Sequence, residues 1–156
     1  MAVHPQDFCE PMLVPAGPDD RAFAFEVLRQ AFGPYVEVQF GWVEEDQQRL
    51  HRERYRQEDN RIIQFEGERV GILASGVRDG ALTVFQLFIL PAWQGRGIGP
   101  RVMDMVFQEA SDLGLPVALG VMKVNPRAKA FWERLGFVVC EEKETHYLMR
   151  RETLNP

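Results

Sequence analysis

Apolar residues follow two kinds of pattern along the chain, which together predict a mixture of helices and strands. A short apolar run at residues 12–14 predicts a strand, and a helix capped by Asp19 or Asp20 follows and ends at Gly33-Pro34. Residues 44–55 open on three acidic side chains, which suit the positive end of a helix dipole. We expect the segment between these helices, residues 35–42, to form a loop. The residues expected on the apolar side of the first helix are Ala22, Phe25, Leu28 and Phe32.

From Arg61 onward the pattern changes to strands, first as a succession of hairpins and then in alternation with helices. Asp79-Gly80 is a strong hairpin signal between two apolar runs. The predicted strands are residues 62–65, 70–74, 81–90, 117–121, 137–140 and 146–149, and the predicted helices are 101–113 and 128–135. In the first of these helices the apolar stripe would consist of Val102, Met105, Val106, Ala110 and Leu113, with Glu109 among them. This order predicts one α/β domain of the α+β type over residues 1–156, with a mixed central sheet and a loose arm at residues 1–11.

Composition narrows the class of protein further. The 156 residues are 46% hydrophobic and 26% charged, as in ordinary globular proteins, and the net charge of -5 argues against a general nucleic-acid binder. No apolar run approaches the roughly 20 residues of a membrane helix, and the first ten residues lack the features of a signal peptide. We therefore expect a cytoplasmic protein that binds neither nucleic acid nor membrane, with Cys9 and Cys140 as free thiols.

A glycine-rich loop follows the predicted strand 81–90 and leads into a helix. It reads Gln94, Gly95, Arg96, Gly97, Ile98, Gly99, Pro100. Glycine permits positive φ and lets the backbone approach a ligand, and the free N–H groups of a helix start bind anions. The loop lacks the Lys-Ser/Thr pair of a P-loop and has the wrong spacing for a dinucleotide fingerprint. A pyrophosphate on the amides of residues 95–99 is one interpretation, and a simple tight turn is the other.

A second segment favours the first interpretation. Its key positions are Asn125, Ala128, Phe131, Trp132, Gly136 and Phe137. Together with Gln94-x-x-Gly97-x-Gly99 it resembles the two signature motifs of the GNAT N-acetyltransferases, in the same order and each after a strand. The resemblance covers essentially the whole chain, and the stretches around Trp42 and His146 resemble a bacterial branch of unknown substrate.

The resemblance implies that acetyl-CoA is the cosubstrate and that it lies between two splayed parallel strands, here residues 81–90 and 117–121. A bulge in the first strand would turn backbone groups of Leu87, Phe88 and Ile89 towards the pantetheine arm. The N–H of Ile89 would then stabilise the oxyanion formed when the amine attacks.

The resemblance also assigns cofactor contacts around the two motifs. Residues 95–99 would hold the pyrophosphate and Gln94 would also contact the cofactor. Pro100 would remove one donor, and Arg96 and Arg101 would supply positive charge unless they are solvated loop arginines. Asn125 would bind the pantetheine region or cap the following helix, in which Ala128 also lies near the cofactor.

Two departures from the family pattern concern proton transfer. Trp132 stands where a tyrosine usually protonates the leaving thiolate, and an indole cannot act as an acid near neutral pH. We expect Trp132 to pack beside the sulfur rather than in an ordinary core. Gly120 stands where some relatives carry a glutamate base.

Other groups could replace these proton donors and acceptors. The candidates are His146, Tyr147, Tyr35 and the acidic residues Glu44, Glu45 and Asp46. The alternatives are a structural histidine and a solvated helix start. No cluster has metal-ligand spacing, so no metal is assigned.

The function predicted is direct transfer of an acetyl group to an amine. The alternatives are a CoA-binding sensor or interaction protein that has lost catalysis and an acyl-binding partner module whose interface consists of Phe40, Trp42 and neighbouring apolar residues. A small amine, a peptide N-terminus, a lysine and an amino sugar all stay open as acceptors, and so does assembly into a homodimer.

Overall fold

Seven β-strands form one sheet across residues 10–153, the part of the chain that the computed structural model describes. Their bounds are β1 Met12–Pro15, β2 Asp59–Phe65, β3 Glu68–Arg78, β4 Ala81–Ile89, β5 Val117–Met122, β6 Val138–Glu142 and β7 His146–Arg151. The spatial order is β1-β2-β3-β4-β5-β7-β6, and all neighbours are antiparallel except β4 and β5. The mixed sheet predicted from the sequence is confirmed.

Five α-helices within the same residues cover the two faces of the sheet. They are α1 Arg21–Ala31, α2 Gly33–Phe40, α3 Glu44–Gln57, α4 Ile98–Leu113 and α5 Pro126–Arg134. Buried side chains of α4 and α5 pack with those of β2 to β5 and β7 in the larger core cluster. Ala24 and Val27 of α1 form a smaller cluster on the other face, with Ile62 and Ile72 of the sheet. The two faces are therefore packed by different helices.

The start of helix α4 differs from the expectation. The helix begins at Ile98 rather than Arg101, because Gly97 takes the left-handed conformation at the N-cap with φ 78°. The buried face is Ile98, Val102, Met103, Val106 and Ala110. Met105 is only partly buried and Leu113 is 56% exposed. The predicted apolar stripe therefore has the right period, but two of its residues do not belong to the buried face.

Three further expectations about the N-terminal half are wrong. Residues 35–42 are mostly helical, because Pro34 suits a first helical turn and α2 continues until Gly41 turns to φ 79°. In α1, Ala22 is exposed while Ala24 and Val27 are buried. Pro11 is buried, so the loose arm does not extend to it, and residues 1–9, including Cys9, lie outside the described residues.

Helix α3 is exposed over most of its surface, as predicted, and buries one side chain. His51 is 5% exposed, with its ring edge against Phe25 at 5.3 Å between centroids. Its Nδ1 lies 3.3 Å from Nη1 of Arg21, and a guanidinium can only donate, so Nδ1 accepts and the ring is neutral. Burial first, and then the charges of Arg21 and Arg54, lower the pKa of His51 to about 4.

This buried histidine predicts a pH-dependent stability. Because the pKa of His51 is about 4 in the folded state and near 6.5 when exposed, the unfolded chain binds more protons between these values. Stability should therefore fall as pH falls through this window, by about 2 kcal/mol between pH 7 and pH 5. Denaturant unfolding of wild type and His51→Gln at both pH values measures this loss.

His51→Gln keeps an acceptor for Arg21 but does not titrate, so its stability should change much less over the same range. His146→Gln, at a partly buried histidine of β7, provides the comparison and should retain most of the loss. Equal pH dependence in wild type and His51→Gln would contradict the assignment.

Candidate functional site

The parallel strands β4 and β5 separate partway along their length. They pair at three positions, from Leu82 with Val117 to Val84 with Leu119. Beyond these, β4 stays paired with β3 as far as Ile89, and β5 stays paired with β7 as far as Met122. The two strand ends therefore diverge, and we call the opening between residues 85–89 and residues 120–122 the wedge.

A β-bulge lies where the wedge begins. Ala74 pairs with Gln86 and the next residue of β3, Ser75, pairs with Val84, so Phe85 is an extra residue in β4. Such a bulge bends its strand and increases the local twist. The expected bulge in this strand is confirmed, and it accounts for the departure of β4 from β5.

Hydrogen bonding decides which backbone groups of β4 face the wedge. The N–H of Leu90 donates to the carbonyl of Val70 at 2.8 Å. Because bonding directions alternate along an antiparallel strand, Phe88 also turns its backbone groups to β3, while Leu87 and Ile89 turn theirs away from it. The Ile89 carbonyl accepts from Gln94 Nε2 at 2.9 Å, and the Ile89 N–H is directed at the wedge.

The expectation for Phe88 is therefore wrong, because its carbonyl is held against β3. A Cβ built on Gly71 of β3 would lie 2.3 Å from that oxygen. The side chains of Leu87 and Ile89 pack against the larger core cluster, so in these residues the backbone faces the wedge and the side chain supports the core.

The glycine-rich loop has the backbone geometry of an anion site. Gly95 and Gly97 have φ of 77° and 78°, in the region that favours glycine. Within the described residues no backbone carbonyl accepts a bond from the N–H of Gly95, Arg96 or Gly97, and the first N–H groups of α4 continue this run. Pro100, in the first turn, has no N–H.

Gly99 and Ile98 serve the packing of the loop. A Cβ on Gly99 would lie 3.3 Å from the ring of Phe131, so this glycine allows α4 and α5 to approach. Ile98 is 2% exposed in the larger core cluster, which leaves only its N–H for a ligand.

The two arginines beside the loop already have protein contacts. Arg96 lies over the ring of Trp93, 4.6 Å from its centroid, and donates to the Ala92 carbonyl. Arg101 lies 3.7 Å from a carboxylate oxygen of Glu10. Both residues lie next to the free amides of the loop. Each therefore places a positive charge beside these amides, although its side chain also contacts other residues of the protein.

Asn125 and Trp132 occupy the start and the centre of α5. Asn125 Oδ1 accepts from the backbone N–H of Ala128 at 3.1 Å. Asn125 therefore caps the helix, and the Ala128 N–H is already bonded. Trp132 is 8% exposed and packs edge-on to Phe137 at 5.4 Å between ring centroids. The indole therefore belongs to the larger core cluster, contrary to the expectation that it lies outside an ordinary core, and its approach to the sulfur stays a prediction.

His146 and Tyr147 point to opposite faces of β7, as neighbours in a strand must. His146 pairs with Met122, and its Nδ1 is 2.6 Å from Oγ1 of Thr145. Burial lowers the pKa of His146, so the ring is neutral at pH 7. Tyr147 packs on the other face with the larger core cluster, with Lys129 Nζ 5.2 Å from its ring.

Glu44 is held by its neighbours in the N-terminal half. Its carboxylate accepts from Trp42 Nε1 at 2.8 Å and pairs with Arg29 at 2.5 Å. The bond from Trp42 is the main cause that lowers the pKa of Glu44. Asp46 pairs with Arg49, and Glu45 is exposed. These contacts tie Glu44 to α1 and to the loop before α3.

The interface proposed at Phe40 and Trp42 contains only one exposed ring. Trp42 packs on Phe25 at 6.0 Å between centroids and is partly buried, whereas Phe40 is 62% exposed.

One residue of the wedge was missed from the sequence. Gln86 is 8% exposed, a single polar side chain in the otherwise apolar run from Val84 to Leu90. That interruption was the signal available, but a strand's exposed face produces the same pattern.

Two open hollows lie elsewhere on the surface. One, of about 590 Å³, is lined by the end of β1 and the end of α3, and the other, of about 640 Å³, lies beside β6. Neither hollow is lined by a residue of the wedge, so the wedge is defined by the separation of β4 and β5 and not by an enclosed cavity.

Among residues 10–153, no three side chains of His, Cys, Asp or Glu lie in an arrangement that could hold a metal ion. No helix of that part of the chain combines the length and apolarity needed to span a membrane.

Solved structures share this fold over nearly the whole chain. An acetyltransferase from Thermus thermophilus has a TM-score of 0.75 at 22% identity, covering 92% of this chain and 97% of that one. The PaiA N-acetyltransferase from Thermoplasma acidophilum, solved with coenzyme A, has a TM-score of 0.74 at 14% identity, with coverage of 92% and 99%. At these identities the likeness concerns the fold.

Comparison at the level of sequence identifies related proteins and a family. N-acetyltransferases described as uncharacterized, from Mycobacterium bovis and Mycobacterium tuberculosis, are 32% identical over an alignment of 83 positions that covers 47% of this chain. The match spans about half, 53%, of those relatives' length. The model of the acetyltransferase (GNAT) family matches residues 23–137, well over half of the chain. The chain therefore belongs to the GNAT acetyltransferase family.

Proposed function

We propose that the protein is an acetyl-CoA-dependent N-acetyltransferase that transfers the acetyl group directly to a primary amine. The observation that carries the proposal is the wedge, with the Ile89 N–H directed into it and an anion-binding loop at the end of the same strand. Family membership supports acetyl transfer in general. The acceptor is argued separately below.

In the proposed complex the pyrophosphate lies on the free amides of residues 95–99. Arg96 and Arg101 add positive charge beside it. The pantetheine arm follows the edge of β4, where Leu87 and Ile89 turn their backbone groups outward. Asn125 uses its Oδ1 to cap α5 and keeps its Nδ2 for the arm.

In the proposed reaction the amine nitrogen attacks the thioester carbonyl carbon, and the C–S bond then breaks. The Ile89 N–H stabilises the negative oxygen of the intermediate. The amine must lose a proton, and neutral His146, on β7 opposite Met122 of β5, is the group we assign to accept it. The thiolate takes its proton from water, because Trp132 cannot supply one.

Glu44 is not assigned a role in attracting the acceptor. Its carboxylate is neutralised by Arg29 and bonded to Trp42, so little charge is left to concentrate a cationic amine.

The cytoplasmic location and the homodimer stay predictions.

The loop predicts a selective loss of cofactor affinity in Gly97→Val. Gly97 has φ 78° with open space around its Cα, and Gly67 has the same φ and the same open space in the turn between β2 and β3. Valine should cost each site about 1–2 kcal/mol of stability through backbone strain. Only Gly97→Val should also weaken acetyl-CoA binding, by about tenfold or more, because its side chain blocks the approach of a phosphate.

Calorimetric titration with acetyl-CoA of folded Gly97→Val and Gly67→Val checks this. Gly97→Ala is the milder variant should valine prevent folding. Equal affinity in the Gly97 and Gly67 variants would place the pyrophosphate elsewhere.

Trp132 predicts a difference between two aromatic replacements. Trp132→Phe and Trp132→Tyr both keep a ring in the core, and only tyrosine adds a group that can donate a proton to the thiolate. We expect similar acetyl-CoA affinity in both and a higher kcat for Trp132→Tyr, by a few-fold, in an assay of thiol release with an amine panel. Equal kcat values would show that this position does not reach the sulfur.

The same assay separates an enzyme from a sensor. Acetyl-CoA binding by the wild type without thiol release on any amine would support the sensor and overturn the proposed function.

His146 predicts the shape of the pH profile. Below the amine pKa, deprotonation of the amine alone makes log kcat/KM rise by about one per pH unit. Protonation of His146 should steepen this rise below pH 6.5, because the pKa of His146 is lowered from its ordinary value. His146→Gln should lose the steep limb, whereas Tyr147→Phe, on the opposite face of β7, should keep it.

Circular dichroism at each pH excludes unfolding through His51. A steep limb that persists in His146→Gln would show that the histidine is structural.

A further inference from the structure

Three polar side chains are buried among the described residues, and they differ in how they are satisfied. His51, Ser75 and Gln86 are 5%, 2% and 8% exposed. His51 contacts Arg21, and Ser75 accepts from Arg61 Nη2 at 3.4 Å. The amide of Gln86 has no hydrogen-bond partner in residues 10–153, and its polar atoms are not fully enclosed. A buried polar group without a partner is costly unless water or a ligand binds it.

Gln86 lies in the wedge, one residue beyond the bulge at Phe85. Its cross-strand neighbour is Ala74, and the next pair on the same face is Phe88 with Ile72. Phe88 and Ile72 pack with α1, so Gln86 faces the α1 side of the sheet. The side chain of Leu87 packs on the opposite side, against the cluster that contains α4.

The surroundings of Gln86 on that side are apolar and aromatic. Phe32 stacks on Phe88 at 4.9 Å between ring centroids, and both rings are partly exposed. Across the wedge, Gly120 is exposed, and a Cβ there would make only ordinary contact, 3.6 Å from Leu148. Arg78, at the end of β3, lies over the ring of Phe85, 4.4 Å from its centroid.

We propose that Gln86 is a specificity-determining residue that hydrogen-bonds the acceptor amine, and that the acceptor carries this amine on an apolar or aromatic body with no second positive charge. The juxtaposition of an amide that has no protein partner within residues 10–153 and is open to a ligand, with partly exposed phenylalanine rings at the mouth of the wedge, carries the inference. The inference rests on the proposed function, since it names the substrate class of the same site.

The chemistry follows from the residue types. The Gln86 carbonyl oxygen accepts a hydrogen bond from the amine N–H, and the rings of Phe32 and Phe88 contact the body of the acceptor. A neutral amide does not compensate the desolvation of a second ammonium group. A polyamine is therefore a poor acceptor, and a monoamine with an aromatic body is a good one.

The test uses 2-phenylethylamine and spermidine as probes, with thiol release from acetyl-CoA measured at pH 8. Gln86→Met keeps the length and volume of the side chain and removes its hydrogen bonding. It should raise KM for 2-phenylethylamine by about tenfold and leave KM for acetyl-CoA unchanged. Gln86→Glu should shift the ratio of kcat/KM values at least tenfold towards spermidine, because a carboxylate attracts the polycation.

Gln108→Met is the matched control, since Gln108 is exposed on α4 and bonds only Asp112. It should leave both KM values at their wild-type levels.

The outcomes distinguish this inference from the proposed function. Turnover by the wild type with an unchanged amine KM in Gln86→Met would overturn the role of Gln86 alone. A wild-type preference for spermidine over 2-phenylethylamine would overturn the acceptor class. A folded wild type that binds acetyl-CoA and acetylates no amine would overturn the proposed function and this inference together.

Discussion

Strands β4 and β5 share only three residue pairs, and each then follows a different neighbour. The bulge at Phe85 bends β4 towards β3, and the ladder to β7 keeps β5 in place. The close approach of β3 and β4 requires glycine at position 71, where a Cβ would lie 2.3 Å from the Phe88 carbonyl. Because a separated pair of parallel strands leaves backbone groups without partners, the fold itself creates the polar edge at Leu87 and Ile89.

The other parts of the site are positioned by elements attached to this wedge. The loop at residues 95–99 follows β4 and is held to it by the bond from Gln94 to Ile89. Helix α5 follows β5, and the contact of Gly99 with Phe131 brings it against α4. A cofactor that fills the wedge therefore meets groups from both strands and both helices. The positions of these groups depend on one packed core.

The sequence predicted what depends on local pattern. The strands, the glycine loop and the family motifs follow from apolar runs, turn residues and fixed spacings. It did not predict the helix at residues 33–40, because the apolar positions there have no clear period and Gly33-Pro34 is typical both of a helix end and of a helix start. The apolar period of α4 does not show which side of its stripe meets the sheet, so the sequence did not predict that Met103 rather than Met105 is buried.

The direction of the Phe88 backbone groups and the burial of Gln86 depend on how β4 pairs with β3. The pattern of residues within one strand does not contain this information. Trp132 shows a related limit: the motif predicted its position in α5 but not that its indole belongs to the core. Glu44 could be recognised as the start of a helix, but its bond to Trp42 and its pairing with Arg29 appear only in three dimensions.

A crystal structure of the protein with acetyl-CoA tests the role of the wedge most directly. The pantetheine arm should lie between β4 and β5, with the thioester oxygen within hydrogen-bond distance, about 3 Å, of the Ile89 N–H. The pyrophosphate should lie on the amides of residues 95–99. Acetyl-CoA bound outside the wedge, or with its thioester remote from Ile89, would contradict the account.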